Sequence, residues 1–273
     1  MWQALINPFV ETAKVMIWVF LLPICLLFQL FILFGHLKSE SKEAYMTVDN
    51  AKDFRLANEM LSRRFDTEDY LHRSHWLIRF VENKRMALIR KMLVSCRGRF
   101  LDVGCGGGDL LKQIGMEQGV GIDLSLYNLN IAKRKPGLIL LQADAENLPF
   151  KDNVFDAVIC SEVLEHLLNP DIAVGEISRI LKKNGCCVIS VPLDKLVNFC
   201  KKIFKAMGFK INYGGAQERH RHIFTKGKLK MLLEGRGLRV VRSASSPFCF
   251  LPLRYVVYAI SDLDYERQMN KKK

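Results

Sequence analysis

Two patterns of apolar and polar positions divide the chain. Residues 15–35 read VMIWVFLLPICLLFQLFILFG, a run that no charge interrupts and in which Gln29 is the one strongly polar residue. About twenty apolar residues in a helix span roughly 30 Å, the hydrocarbon thickness of a bilayer. The run therefore predicts a transmembrane helix after a short tail at residues 1–14, with Pro23 as a tolerable kink. A cleavable signal peptide is a rival reading, but the following GHLKSESKEAY offers no small-x-small cleavage site. A kinked helix dipping into one leaflet is a third. Residues 36–65 are polar and charged and read as a stalk, leaving residues 66–273 as the main domain.

From Cys96 onward the pattern changes. Short apolar runs alternate with helical stretches: strands at Phe100–Gly104, Gly119–Leu124, Leu138–Ala143, Phe155–Cys160 and Cys186–Val191, and helices at Asp109–Ile114, Tyr127–Lys133 and Ile172–Leu181. One or two helices precede them, and two last strands are expected at Leu238–Ala244 and Tyr255–Ile260. This spacing predicts crossover units and an α/β fold, a doubly wound parallel sheet covered on both faces. The continuously apolar cores DAVIC and CCVISV fit buried parallel strands.

Charge and cysteine content refine the picture. The 273 residues carry 41 basic and 28 acidic side chains, a net charge of +13, which favours anionic partners such as a membrane surface or nucleic acid. Lys14 precedes the apolar run, and Lys38, Lys42, Lys52 and Arg55 follow it, so the positive-inside bias puts a single-pass protein's large domain in the cytoplasm. Eight cysteines without a CxxC pair suggest reduced thiols and no zinc site. Cys186 and Cys187, adjacent in a strand, are expected on opposite faces.

Four glycines fall within five positions in LDVGCGGGDLL, where the first strand turns into a helix. In an open parallel sheet, ligands bind beyond the carboxyl ends of the strands, where strand order reverses. Gly104, Gly106 and Gly108 suit positive φ and close backbone approach there. A dinucleotide fingerprint needs a third glycine at the position of Asp109, an acidic residue that would repel a pyrophosphate. A ligand carrying an amine or a sulfonium suits the loop better. Asp102, Asp123 and Asp144 stand at three successive strand ends, a row that fits one extended nucleoside. Each also has a local reading: Asp102 as a turn cap, Asp123 as a helix cap in competition with Ser125, Asp144 as a loop former.

Four segments, LDVGCGGGDLL, GIDLS, ADAENLPFKDNVFDAVICSEVLEHL and ISRILKKNGCCVISVP, together resemble the class I S-adenosylmethionine-dependent methyltransferases of the type 11 group, with core motifs over residues 97–191. The resemblance implies a Rossmann-like, seven-stranded, mainly parallel sheet with one antiparallel strand, and S-adenosyl-L-methionine as methyl donor, leaving as S-adenosyl-L-homocysteine. It implies that Asp102 holds the methionyl amine, through water, and that Gly104 and Gly106 pass beneath the methionyl part. Asp123 would bind the ribose, Asp144 and the Ala145 N–H the adenine, and Ser161 and Glu162 would line the pocket near the methyl group. HWLIRFVENKR is similar to an N-terminal helix that covers the cofactor in some members, which makes Trp76 and Arg79 further candidates.

Methyl transfer from a sulfonium is an in-line displacement, in which fixed geometry supplies most of the acceleration. A hydroxyl acceptor also benefits from a general base. His166, Glu162, His220 and His222 are the candidates. His220 and His222 alternate across HRHIF, so one of them can face the acceptor. A metal held by this pair is disfavoured, since the neighbouring sequence supplies no third ligand. After the fifth strand, residues 193–207 show apolar positions at helical spacing with lysines among them: either a packed helix with a solvated basic face, or an interfacial helix on an anionic membrane.

With the apolar run at 15–35, these features point to a membrane-anchored methyltransferase acting on a lipid, an isoprenoid or quinone-type compound, or another small membrane-associated acceptor. Two other readings stand beside it: the same chemistry on protein or RNA, and a non-catalytic scaffold of the same fold. The basic charge admits RNA, but no RNA-binding module or aromatic-rich basic sheet motif is present.

Overall fold

The computed structural model describes residues 51–64, 76–115, 119–194, 196–199, 202, 220–247 and 252–262. The apolar run at 15–35 and most of 193–207 lie outside the described residues; within the latter, residues 196–199 are helical. Among the described residues, no helix is long and apolar enough to cross a membrane.

The elements run α1 (Ala51–Arg64), α2 (Trp76–Leu93), β1 (Phe100–Val103), α3 (Asp109–Gln113), β2 (Val120–Asp123), α4 (Leu126–Ala132), β3 (Ile139–Gln142), β4 (Phe155–Ser161), α5 (Pro170–Ile180), β5 (Leu181–Pro192), α6 (Lys226–Glu234), β6 (Leu238–Pro247) and β7 (Pro252–Ser261). The seven strands form one sheet in the order β3-β2-β1-β4-β5-β7-β6. β1 to β5 pair in parallel, while β7 runs antiparallel to both β5 and β6. This is the sheet the family resemblance implied. The order reverses between β1 and β4, which opens a crevice at their carboxyl ends.

Strand periodicity assigns the core to two faces. On β4, Ala157 and Ile159 join Cys186 and Val188 of β5 against Ile89, Met92 and Leu93 of α2. Val158 and Cys160 join Cys187, Ile189 and Val191 on the other face, against Ala173, Val174 and Ile177 of α5 and Leu229 and Leu233 of α6. Cys186 and Cys187 therefore do face opposite ways. Lys182–Gly185 bulge between the registers Phe155↔Leu181 and Ala157↔Cys186, with Asn184 at φ 61°. Asn184 and Gly185 thus sit in a bulge within β5.

Within the segment read as a stalk, Ala51–Arg64 form the helix α1. Its charged composition masked an inward stripe: Ser62 is buried and accepts from Asn128 Nδ2 of α4 at 3.4 Å. Glu59 Oε2 accepts from Ser125 Oγ at 2.7 Å.

Candidate functional site

The site is built from the loops that leave β1, β2, β3 and β4. Beyond Val103, the amides of Gly104 and Cys105 both donate to Ile122 O at 2.8 Å, which folds the loop against β2. Gly104 sits at φ +72°, and a Cβ there would lie 2.4 Å from Val163 Cγ2. That position excludes a side chain both by conformation and by space. Gly108, also left-handed, is the residue from which α3 starts. Asp109 does not stand as a bare repelling charge: Lys135 Nζ lies 3.1 Å from its Oδ1 and also donates to Gly107 O at 2.6 Å, tying the loop to the end of α4.

Asp102, Asp123 and Asp144 do stand at the ends of β1, β2 and β3 or just beyond. Asp102 is only 2% exposed. Burial, then the neighbouring Asp123, push its carboxyl up to about 8, against the opposing pull of Arg85. A buried carboxyl in this condition is a receptor for a cation, since a bound ammonium stabilises the charged form.

Asp123 is more heavily engaged than the sequence suggested. Its Oδ2 accepts from Gly106 N at 2.9 Å, and its Oδ1 from Ser125 N at 2.9 Å and Asn128 Nδ2 at 3.2 Å. A carboxylate has about four acceptor sites, so one remains, on Oδ2. Ser125, not Asp123, caps α4, accepting from Asn128 N. Burial pushes the Asp123 carboxyl up, against these hydrogen bonds. Asp144 Oδ1 accepts from Glu146 N at 3.0 Å, which shapes the turn holding the buried Ala145. Asp144 Oδ2 also meets Arg55 of α1 at 3.7 Å. Arg55 and Glu59, one helical turn apart, thus reach the ends of β3 and β2. Neither was foreseen, because both sat in what read as linker.

The candidates after β4 separate into distinct roles. Ser161 Oγ lies 2.9 Å from Ser190 Oγ and accepts a hydrogen bond from Arg85. Glu162, at φ 58°, accepts from Ser190 Oγ at 3.0 Å and pairs with Arg254 Nε at 2.7 Å. Arg254 also reaches Glu82 at 3.1 Å, and Glu82 meets Arg85 at 2.7 Å. Burial raises the Glu82 carboxyl, yet Arg85 and Arg254 outweigh it and hold it below its ordinary value. Glu162 therefore belongs to an ionic network with Arg254, Glu82 and Arg85. Arg85 and Arg254 were missed: one lies in a helix with ordinary charge spacing, the other interrupts the apolar strand PLRYVVYAI. Of the earlier candidates on α2, Arg79 is exposed.

The histidines also divide. His222 Nε2 donates to the carbonyls of Leu167 and Leu168 at 3.0 and 3.3 Å, so it tethers a loop. His220 faces the other way, its ring 4.9 Å from that of His166. His220 Nδ1 donates to Asp194 Oδ1 at 2.9 Å. Glu165, unremarked in the sequence, lies between them, with Oε1 3.8 Å from His166 Nε2. Glu165 is 1% exposed, and its carboxyl is held far above the ordinary range by burial and then by Glu162. The sequence reading had set aside a metal because it paired His220 with His222; the fold instead groups His220 with Glu165 and His166.

Residues 101–189 match the model of a methyltransferase domain family. The chain carries a class I S-adenosylmethionine-dependent methyltransferase domain. A demethylmenaquinone methyltransferase of Staphylococcus haemolyticus is 29% identical over 226 residues, covering 73% of this chain and 92% of that protein. An uncharacterized protein of Methanocaldococcus jannaschii is 29% identical over 163 residues, covering 58% of this chain and 62% of its own length. Two other curated relatives are matched over only 45% and 61% of their lengths. The fold is that of a possible histamine N-methyltransferase from Thermotoga maritima, with a TM-score of 0.57 at 21% identity over 74% of this chain and 99% of the other. It is also that of magnesium protoporphyrin IX methyltransferase from Synechocystis with bound S-adenosylhomocysteine, with a TM-score of 0.57 at 16% identity over 76% and 98%. The glycine loop follows β1, and the three carboxylates stand at or just beyond the carboxyl ends of the adjacent strands β1, β2 and β3.

Proposed function

We propose that the protein is a methyltransferase that moves the methyl group of S-adenosylmethionine to a small quinone-type acceptor at a membrane. The observation that carries this reading is the row Asp102, Asp123 and Asp144 beside the glycine loop. The donor supplies a methyl group on a positively charged sulfur. Asp102 balances the cationic amine in a buried setting, and Asp123 offers one acceptor site to a ribose hydroxyl. Asp144 and the turn around Ala145 meet the adenine. Arg55 and Glu59 of α1 reach the same strand ends, Arg55 meeting Asp144 and Glu59 meeting Ser125. Because the leaving sulfur is already activated, the remaining task of these residues is to hold the donor in line with the acceptor.

The acceptor class is supported by the likeness to demethylmenaquinone methyltransferase, which extends over most of that protein. A 33% identity over 125 residues to a ubiquinone/menaquinone C-methyltransferase of Syntrophotalea carbinolica points the same way. Membrane placement is part of the proposal and rests on the uncharged apolar run at residues 15–35, with the methyltransferase domain on the cytoplasmic side. The test is to incubate detergent-solubilised full-length protein with methyl-labelled S-adenosylmethionine and a total lipid extract supplemented with demethylated quinones. Label in the organic phase is the expected result. Measurable donor binding with no organic-phase label would rule out this acceptor class.

A further inference from the structure

We propose that Glu165, His166 and His220 bind a divalent transition-metal cation, with Asp194 orienting His220. The loop after β4 supplies Glu165 and His166, and the segment before α6 supplies His220. That segment is pinned to the loop by the amides of Arg221 and His222, which donate to Glu165 O at 2.8 and 3.1 Å. One ligand atom from each of the three side chains lies within 4.8 Å of the other two. Donors around a tetrahedral zinc at about 2.0–2.1 Å stand roughly 3.4 Å apart, so side-chain shifts of about an ångström close the set.

A second, independent observation points to a ligand. Among the described residues, Glu165 Oε2 and Asp194 Oδ2 are buried without a hydrogen-bond partner. Two carboxylates in this condition are costly to bury, and a cation between the imidazoles offsets that cost. Arg254 acts on Glu165 through its charge, but forms its ion pairs with Glu162 and Glu82. Asp194 accepts from His220 Nδ1, which leaves Nε2 as the ligand nitrogen and fixes the ring. This is the carboxylate–histidine–metal arrangement that metal sites use to orient their imidazoles.

The donor set decides the class of ion. One carboxylate oxygen and two imidazole nitrogens suit zinc, manganese, iron, cobalt or nickel, and supply too few oxygens for calcium. Three protein ligands leave at least one coordination position open. The site lies at the carboxyl ends of β4 and β5, on the same sheet edge as the glycine loop of β1. An oxygen of the methyl acceptor can take the open position. That last step rests on the methyltransferase reading, whereas metal binding itself does not.

The experiment strips the full-length protein with a chelator and titrates it with zinc, and in parallel with S-adenosylhomocysteine. About one tightly held zinc per chain is expected, counted by elemental analysis after gel filtration. Glu165→Gln and His166→Ala should each weaken zinc more than about tenfold, and Asp194→Asn by roughly 10–100-fold, as for other supporting carboxylates. His222→Ala, whose ring only tethers a loop, should keep wild-type affinity. Failure of the wild type to retain zinc, manganese or cobalt while still binding S-adenosylhomocysteine would overturn the metal site. So would wild-type retention in both Glu165→Gln and His166→Ala. Zinc binding without any affinity for S-adenosylhomocysteine would instead uphold the metal site and sink the methyltransferase reading.

Discussion

Arg254 of β7 reaches across two strands' ends to pair with Glu162 at 2.7 Å, and its other nitrogen holds Glu82 of α2 at 3.1 Å. One guanidinium thus fastens the last strand, the covering helix and the loop after β4 into a single unit. Truncation to Arg254→Ala removes the arginine that meets Glu162 and leaves buried Glu82 with Arg85 alone. Loss of one partner of a buried pair costs about 3–5 kcal/mol. A markedly lowered thermal midpoint is expected. Glu162→Gln, which keeps the shape and removes the charge that Arg254 meets, should lower the midpoint less than Arg254→Ala, because Arg254 keeps Glu82.

Asp102 sets a pH dependence of donor binding. Its carboxyl titrates at about 8 in the free protein, whereas the bound amine requires it ionised. Below pH 8, binding therefore releases a proton, and affinity for S-adenosylhomocysteine should rise from pH 6 to about 8 and then level off. Asp102→Asn should flatten that profile and weaken binding.

The same residue makes a prediction about stability with the opposite sense. The folded-state value of about 8 lies above the ordinary 3.8 of an aspartate, so the folded, donor-free protein binds more protons between them. The contribution of Asp102 to stability is thus present below pH 4 and is lost as pH rises through about 8. Asp102→Asn should raise the melting temperature of the donor-free protein at pH 8, and much less at pH 5.

Asp123 and Asp144 are expected to differ when removed. Asp123→Ala takes away the acceptor for the amides of Gly106 and Ser125 as well as the ribose contact, so the glycine loop loses its anchor. Asp144→Ala removes one turn hydrogen bond and the adenine contact. Hydrogen bonds to charged groups contribute about 1.5–3 kcal/mol, or roughly 10–100-fold in affinity. Calorimetric titration with S-adenosylhomocysteine should show the larger loss in Asp123→Ala. Wild-type affinity in both variants would contradict the assignment of the donor site.

Gly104→Ala tests the loop through space and conformation together. The new methyl would overlap Val163 Cγ2, and φ +72° disfavours any side chain. Strong loss of donor affinity is expected, and Val163→Ala in the same chain should restore only part of it, because the backbone strain remains.

The sheet and the donor-binding edge were legible because their signals are local. Apolar runs of strand length, glycines at a strand-to-helix turn and carboxylates at strand ends each follow from a few consecutive residues, and the order of β1 to β5 follows from right-handed crossovers. The helix α1 was hidden because its inward stripe is Ser62, Glu59 and Arg55 rather than leucine, and polar groups reveal burial only once their partners are known. Glu162 stood as a candidate base, and only the fold shows β7, some ninety residues on, delivering Arg254 to it. The histidine pair illustrates the same limit. A spacing of two along HRHIF puts His220 and His222 on one side of an extended segment, yet the fold gives them different partners, Asp194 for His220 and the Leu167 carbonyl for His222. Which of them meets Glu165, His166 and Asp194 was decided by the packing of that segment against the loop after β4, because a ligand set is a matter of distance in space and not of spacing along the sequence.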